Sequence, residues 1–94
     1  MKIQNVPYQR QIFVCVHNAN GEKASCGDHC GEEVFRRLRE IAKARKLHPM
    51  IRVAQAKCLG QCNTGVNIMI YPENVWLSDV RTEEVAKIAD QYIQ

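Results

Sequence analysis

The placement of five cysteines constrains this 94-residue chain more than any other feature of its sequence. Cys15 stands alone, Cys26 and Cys30 form one close pair, and Cys58 and Cys62 form a second. Three residues separate the members of each pair, so neither pair is the C-x-x-C motif of thioredoxin-type redox proteins. An odd number of cysteines also argues against simple disulfide pairing. The pattern therefore points to metal binding or redox chemistry.

The length and the N-terminal residues predict a small cytoplasmic protein. With 94 residues and 46% hydrophobic content, the chain is expected to form one domain over residues 1–94. The N-terminal stretch MKIQNVPYQRQ has no apolar segment typical of a signal peptide, and no apolar run approaches the length that spans a bilayer. A cytosolic setting keeps thiols reduced, which again favours metal ligation over disulfides.

The net charge does not identify a class of partner. Thirteen Lys and Arg residues against ten Asp and Glu residues give a formal charge of +3. Cysteine thiolates that hold a cationic metal centre would cancel most of this charge. The charge therefore supports no class of partner. We expect no nucleic acid as partner, and no membrane, since no apolar run is long enough to span one.

Hydrophobic periodicity predicts an α/β fold with the order β-α-β-β-β-α. The predicted elements are a strand at 11–16, a helix at 31–47, a strand at 50–54, a hairpin of strands within 66–71 and 75–77, and a final helix that Thr82 begins as its cap. The first helix connects its flanking strands as a crossover, which places them parallel. This order is consistent with a thioredoxin-like topology, with two main helices against a small mixed four-stranded sheet.

Each predicted helix has one apolar face, and turn residues mark two chain reversals. The core-facing positions are Val34, Phe35, Leu38, Ile41 and Ala42 in the first helix and Val85, Ile88, Ala89, Tyr92 and Ile93 in the last. Pro49 prevents continuation of the first helix. Asn74 suits a left-handed position in the hairpin turn.

The cysteine spacing alone leaves two metal centres open. A structural zinc site would use Cys26, Cys30, Cys58 and Cys62. An iron–sulfur cluster would also be held by four thiolates. The end of the first strand, where Cys15 lies, is a common place for chemistry in parallel sheets and favours the second interpretation. Two glycines, Gly60 and Gly65, bracket the second pair and allow the backbone to approach a cofactor closely.

Four sequence stretches, FVCV, SCG, KCLGQC and IMIYPENVWLSDVRTEEV, resemble the thioredoxin-like [2Fe–2S] ferredoxin family. The resemblance covers nearly the whole chain. It implies that Cys15 and Cys26 hold one iron of a [2Fe–2S] cluster and that Cys58 and Cys62 hold the other. It also implies one-electron transfer between redox partner proteins and, as is frequent in that family, a homodimer. A related domain occurs in the small iron–sulfur subunit of respiratory complex I.

Cys30 departs from this four-cysteine pattern. We interpret it as a bystander thiol at the start of a helix; replacement of one of the four ligands and a redox or assembly role are the alternatives. His17 and His29 are interpreted as exposed loop residues and not as ligands. Alternative functions for the chain are a cluster donor, an accessory subunit of a larger oxidoreductase and a zinc-stabilised interaction module. Enzyme catalysis is least supported, since the sequence shows no nucleophile–base set or phosphate loop.

Overall fold

A mixed four-stranded sheet and two α-helices make up the core of the structure, a computed structural model that describes residues 1–16, 31–57 and 66–94. In chain order the elements are β1 (Arg10–Cys15), α1 (Gly31–Ala44), β2 (Ile51–Ala56), β3 (Ile68–Tyr71), β4 (Val75–Leu77), a 3-10 turn (Thr82–Glu84) and α2 (Val85–Tyr92). The predicted order is confirmed. Among the helices of the described residues, none has the length and hydrophobicity needed to cross a membrane.

The sheet has the order β2-β1-β3-β4, so β1 lies in its interior. Strands β1 and β2 are parallel, with a register that runs from the Arg10–Ile51 pair to the Cys15–Ala56 pair. Strand β3 runs antiparallel to both β1 and β4. The crossover through α1 and the β3–β4 hairpin therefore have the predicted directions.

Alternation along β1 gives the sheet two different faces. Ile12 and Val14 are fully buried in the hydrophobic core beneath the helices. Phe13 and Cys15 point to the opposite face, which we call the outer face. The core also contains buried residues from every other strand and helix except β4 and the 3-10 turn: Val34, Leu38 and Ala42 of α1, Ile51 and Val53 of β2, Ile68 and Ile70 of β3, and Val85, Ile88 and Ala89 of α2.

Helix α1 buries the predicted face but ends at Ala44, three residues before the predicted end. Lys46 adopts a left-handed conformation with φ of 60°. Backbone hydrogen bonds run from Lys46 N–H to the Lys43 carbonyl and from Leu47 N–H to the Ala42 carbonyl, both at 3.0 Å. This pattern is a Schellman motif, in which a glycine usually occupies the left-handed position. The helix therefore ends at this motif, before the chain reaches the proline expected to stop it.

The prediction that Thr82 caps the last helix is wrong. A 3-10 turn precedes α2, and Arg81 occupies the N-cap position of that turn. The Glu84 carboxylate accepts a hydrogen bond of 3.0 Å from the Arg81 backbone N–H, which satisfies one of the donors at the start of the helical segment. The predicted apolar face of α2 is confirmed, with Ile88 and Ala89 buried in the core.

Strand boundaries differ slightly from the prediction, whereas the hairpin turn agrees with it. Strand β2 continues two residues beyond its predicted end, and β3 begins two residues later than the run 66–71 suggested. Asn74 has a φ of 59°, which confirms its predicted left-handed conformation. Asn populates this region more readily than most residues, so it suits the position.

Two arginines connect the C-terminal helix to the rest of the fold. The Arg10 guanidinium pairs with the Glu73 carboxylate at 2.6 Å and donates a hydrogen bond to the Tyr92 carbonyl. Arg45 donates to the carbonyl oxygens of Ala89 and Ile93 at 3.0 and 2.9 Å. Since the carbonyls at a helix C-terminus carry partial negative charge, both arginines stabilise the end of α2 electrostatically.

Candidate metal centre

The candidate site lies at the sheet edge where the parallel strands β1 and β2 end. Cys15 is the last residue of β1 and is paired with Ala56, the last residue of β2. The ladder continues beyond both strands, because Val16 N–H donates to the Ala56 carbonyl at 2.8 Å and Cys15 N–H donates to the Asn67 carbonyl at 3.0 Å. Backbone hydrogen bonds from Val16 and Cys15 therefore join this end of β1 to the chain on both sides.

Two stretches of chain, residues 17–30 and 58–65, connect to the described fold at this edge. We call them the first and second cysteine segments. The first follows β1 and precedes Gly31, where α1 begins. The second follows Lys57 and precedes Val66, two residues before the start of β3. The fold thus attaches both segments beside the end of β1.

The N-terminus of α1 lies at the same edge. Glu32 in the first turn of α1 and Gln55 near the end of β2 line one surface cleft. A helix N-terminus presents unpaired N–H groups and the positive end of the helix dipole. Such a helix end favours an anionic group, and a metal centre ligated by four thiolates is commonly anionic. The edge therefore combines Cys15, a candidate ligand, with the positive end of the α1 dipole, which the Glu32 and Glu33 carboxylates in the first turn partly offset.

Cys15 has the burial and position expected of a ligand at the end of a strand. Its side chain is fully buried. The Sγ atom lies 3.9 Å from the Lys57 carbonyl oxygen, within reach of a weak S–H hydrogen bond. Cys15 is not a member of the main hydrophobic core, because it points to the outer face. Cys15 is therefore buried on the outer face, at the sheet edge where the two cysteine segments attach.

Asn67 is a site residue that the sequence analysis missed. It lies opposite Cys15 in the ladder, and it is the one buried polar side chain among residues 1–16, 31–57 and 66–94. Its Oδ1 atom accepts a hydrogen bond of 3.2 Å from Nε1 of Trp76, whose side chain is 41% exposed. One feature of the sequence could have indicated Asn67: it is the single polar residue in the run VNIMIY, which directly follows the second cysteine segment.

The remaining predicted ligands lie outside the described residues. Within the part of the chain that the structure describes, there is no group of three or more potential ligand side chains. The predicted site residues that fall in the two cysteine segments are Cys26, Cys58 and Cys62, together with Cys30, His17, His29, Gly60 and Gly65. The ligand set therefore remains a prediction. Cys15 is the one predicted ligand whose position the structure describes.

Comparison with known proteins relates the chain to one group of proteins. No family model matches it. It is 28% identical over 88 residues to a protein of Clostridium pasteurianum named "Ferredoxin, 2Fe-2S", with coverage of 92% of this chain and 86% of the relative. A protein of the same name from Aquifex aeolicus is 26% identical over 88 residues, with coverage of 90% and 79%.

Solved structures agree with this relationship. The wild-type thioredoxin-like [2Fe–2S] ferredoxin of Aquifex aeolicus superimposes with a TM-score of 0.79 at 26% identity, covering 92% of this chain and 86% of that one. A further structure of a thioredoxin-like [2Fe–2S] ferredoxin from that organism gives a TM-score of 0.81 at 24% identity, covering 93% and 82%. The fold is therefore thioredoxin-like, as predicted. The resemblance expected from the sequence is also confirmed: the chain is similar to 2Fe-2S ferredoxins along about nine-tenths of its length.

Proposed function

We propose that this protein is a ferredoxin, a one-electron carrier that holds a [2Fe–2S] cluster and exchanges electrons with other redox proteins. The relatives named as 2Fe-2S ferredoxins match along about nine-tenths of the chain. The observation that carries the proposal is that both cysteine segments attach beside the buried Cys15, at one edge of the fold. The Aquifex aeolicus ferredoxin has a similar fold. The role is electron transfer and not enzyme catalysis.

The proposed ligands are Cys15, Cys26, Cys58 and Cys62. A [2Fe–2S] cluster needs four thiolates, two for each iron. The carbonyl group that lies 3.9 Å from Cys15 Sγ belongs to Lys57 and is bonded to the backbone nitrogen of Cys58. The β1–β2 pairing therefore supports a close approach of Cys15 and Cys58. Cys26 and Cys62 follow within the two segments that attach at the same edge.

When bound, the cluster supplies a centre that accepts and releases one electron. The residues of this chain hold and surround it. Burial of Cys15 keeps water from its sulfur, and the backbone hydrogen bonds from Val16 and Cys15 fix this end of β1. The positive end of the α1 dipole favours negative charge at the edge, and the Glu32 and Glu33 carboxylates in the first turn oppose it. Hydrogen bonds, burial and nearby charge are the means by which a protein sets the potential of such a centre.

The decisive experiment is metal and sulfide analysis of protein purified without oxygen. We expect two irons and two acid-labile sulfides per chain, with a visible absorption spectrum that bleaches on one-electron reduction. Zinc bound without sulfide would refute the ferredoxin proposal and support the zinc-stabilised module.

Replacement of each cysteine by alanine tests the ligand set. We expect loss of cluster iron and sulfide for Cys15→Ala, Cys26→Ala, Cys58→Ala and Cys62→Ala. Cys30→Ala is the matched control, because it removes a thiol from the same segment as Cys26 and is expected to keep the cluster. Cluster loss in Cys30→Ala together with retention in Cys15→Ala would contradict the assignment.

The partners, the oligomeric state and the location are proposed from the same resemblance. The partners would be a donor and an acceptor of single electrons, met in brief encounters over a small interface. The family resemblance supports a homodimer, which sedimentation analysis would distinguish from a monomer. The sequence pattern supports a cytoplasmic location.

A further inference from the structure

Asn67 lies between a proposed cluster ligand and an aromatic residue on the outer face of the sheet. Its backbone carbonyl accepts the Cys15 N–H on the β1 side, and its side-chain oxygen accepts the Trp76 indole N–H on the β4 side. Residues directly opposite each other in an antiparallel pair point to the same face, with Cβ atoms about 4.5–5.5 Å apart. Asn67 and Cys15 therefore share the outer face as direct neighbours.

The hydrogen bond from Trp76 fixes which way the Asn67 amide is turned. An indole N–H is a donor only, so the amide atom that faces it must be the oxygen. Because the amide group is planar, its Nδ2 atom then lies on the branch turned away from the indole. Trp76 is on the β4 side of Asn67 and Cys15 is on the β1 side, so the oxygen, which is the negative end of the amide dipole, is turned away from Cys15.

We propose that Asn67 is a positioning residue that tunes the cluster, and that Trp76 holds its amide dipole with the positive end toward the Cys15 side of the centre. This inference rests on the proposed function, since the dipole acts on the thiolate-ligated cluster. Reduction adds negative charge to the cluster, and a dipole with its positive end nearby stabilises that charge. Asn67 and Trp76 together would thus raise the reduction potential.

The surroundings of the pair strengthen this interpretation. Asn67 is fully buried, so its dipole acts where water does not screen it. Trp76 is half-exposed and lies outside the hydrophobic core, unlike its strand neighbours Val75 and Leu77, which pack against the core. The indole is not part of the core, and its N–H donates a hydrogen bond of 3.2 Å to the amide oxygen of Asn67.

The test compares reduction potentials of the cluster-loaded protein and its variants. Trp76→Phe keeps an aromatic ring but removes the donor, and Asn67→Leu replaces the amide by an apolar group of similar shape. We expect each to make reduction less favourable by about threefold to tenfold, where tenfold is about 59 mV for a one-electron couple. Tyr71→Phe is the matched control, because Tyr71 is 44% exposed on the same face and should leave the potential unchanged.

A double variant tests whether Trp76 acts through Asn67. In the Asn67→Leu background we expect Trp76→Phe to cause no further shift. Additive shifts, or a Trp76→Phe potential equal to that of Tyr71→Phe, would overturn the proposal. If Asn67→Leu does not take up a cluster, the reduction potentials of Trp76→Phe and Tyr71→Phe alone decide between the proposal and its refutation.

Nuclear magnetic resonance of the metal-free protein supplies an independent measurement. The Trp76 indole N–H should exchange slowly with solvent in the unsubstituted chain and faster in Asn67→Leu. Rapid exchange in the unsubstituted chain would refute the hydrogen bond on which the proposal depends. Failure of the ferredoxin proposal is distinguishable, because the unsubstituted protein would then contain no iron and sulfide in the first place.

Discussion

Removal of the Arg10 side-chain charge should destabilise the fold more than removal of any surface ion pair on α1. Arg10 pairs with Glu73 at 2.6 Å, and the two side chains are only 16% and 28% exposed. Exposed pairs contribute about 0.2–1 kcal/mol, whereas breaking a fully buried pair costs about 3–5 kcal/mol. Because the Arg10–Glu73 pair is partly buried, we expect the free-energy cost of removing Arg10 to lie between these limits. The lost hydrogen bond to the Tyr92 carbonyl adds to the cost.

We therefore expect Arg10→Met to lower the free energy of unfolding by about 2 kcal/mol. In a domain of this size, that loss corresponds to a decrease of about 8–16 °C in Tm. Urea denaturation of the metal-free protein measures the effect without a contribution from a cofactor. Arg36→Met is the matched control, since Arg36 pairs with Glu40 at 3.3 Å with both side chains about 60% exposed and should change stability by less than about 0.5 kcal/mol.

The reasoning about Arg10 would be refuted if the two variants had equal stability. Replacing Glu73 by glutamine separates the two contributions, because it weakens the ion pair but leaves the hydrogen bond to Tyr92 intact. We expect Glu73→Gln to cost about half as much as Arg10→Met.

Two further predictions concern the helices. Arg45→Met should lower the free energy of unfolding by about 1–2 kcal/mol, because two carbonyls at the end of α2 lose a charged donor. Asp90→Asn is its control and should cost under about 0.5 kcal/mol, because it weakens only the 2.8 Å ion pair between Arg45 and a 74% exposed carboxylate. Equal costs in denaturant unfolding would show that the bonds to the carbonyls contribute nothing. Leu38→Ala should cost about 2–5 kcal/mol, since Leu38 is fully buried beneath the sheet. Ile3→Ala, at a position 91% exposed, is its control, and a comparable loss there would contradict the assigned core.

The sequence predicted the elements well because each has a strong hydrophobic period. Val34, Leu38 and Ala42 recur on one face of α1, and that face is buried as expected. The end of α1 was harder to predict, because the left-handed position that ends the helix holds Lys46 and not the usual glycine. The start of the C-terminal helical segment was missed for a similar reason, since Arg81 is not a residue type that marks an N-cap.

The candidate site was predictable in part. The position of Cys15 at the end of a buried strand followed from the run of β-branched and aromatic residues before it. The role of Asn67 did not follow, because it depends on the register between β1 and β3 and on a partner from β4. Pairing register is set by the assembled sheet, so a linear pattern of residues does not reveal which side chains become neighbours across strands.

The attachment of both cysteine segments at one edge bears on how the spacing of the proposed ligands can vary. The described strand pairs of β1 with β2, β1 with β3 and β3 with β4 include no residue of 17–30 or 58–65. Positions that connect at a scaffold edge tolerate changes in length more readily than strands do. We therefore expect a one-residue insertion between Cys26 and Cys30 to destabilise the sheet less than a one-residue insertion within β1, while it changes the spacing of the thiols along the chain.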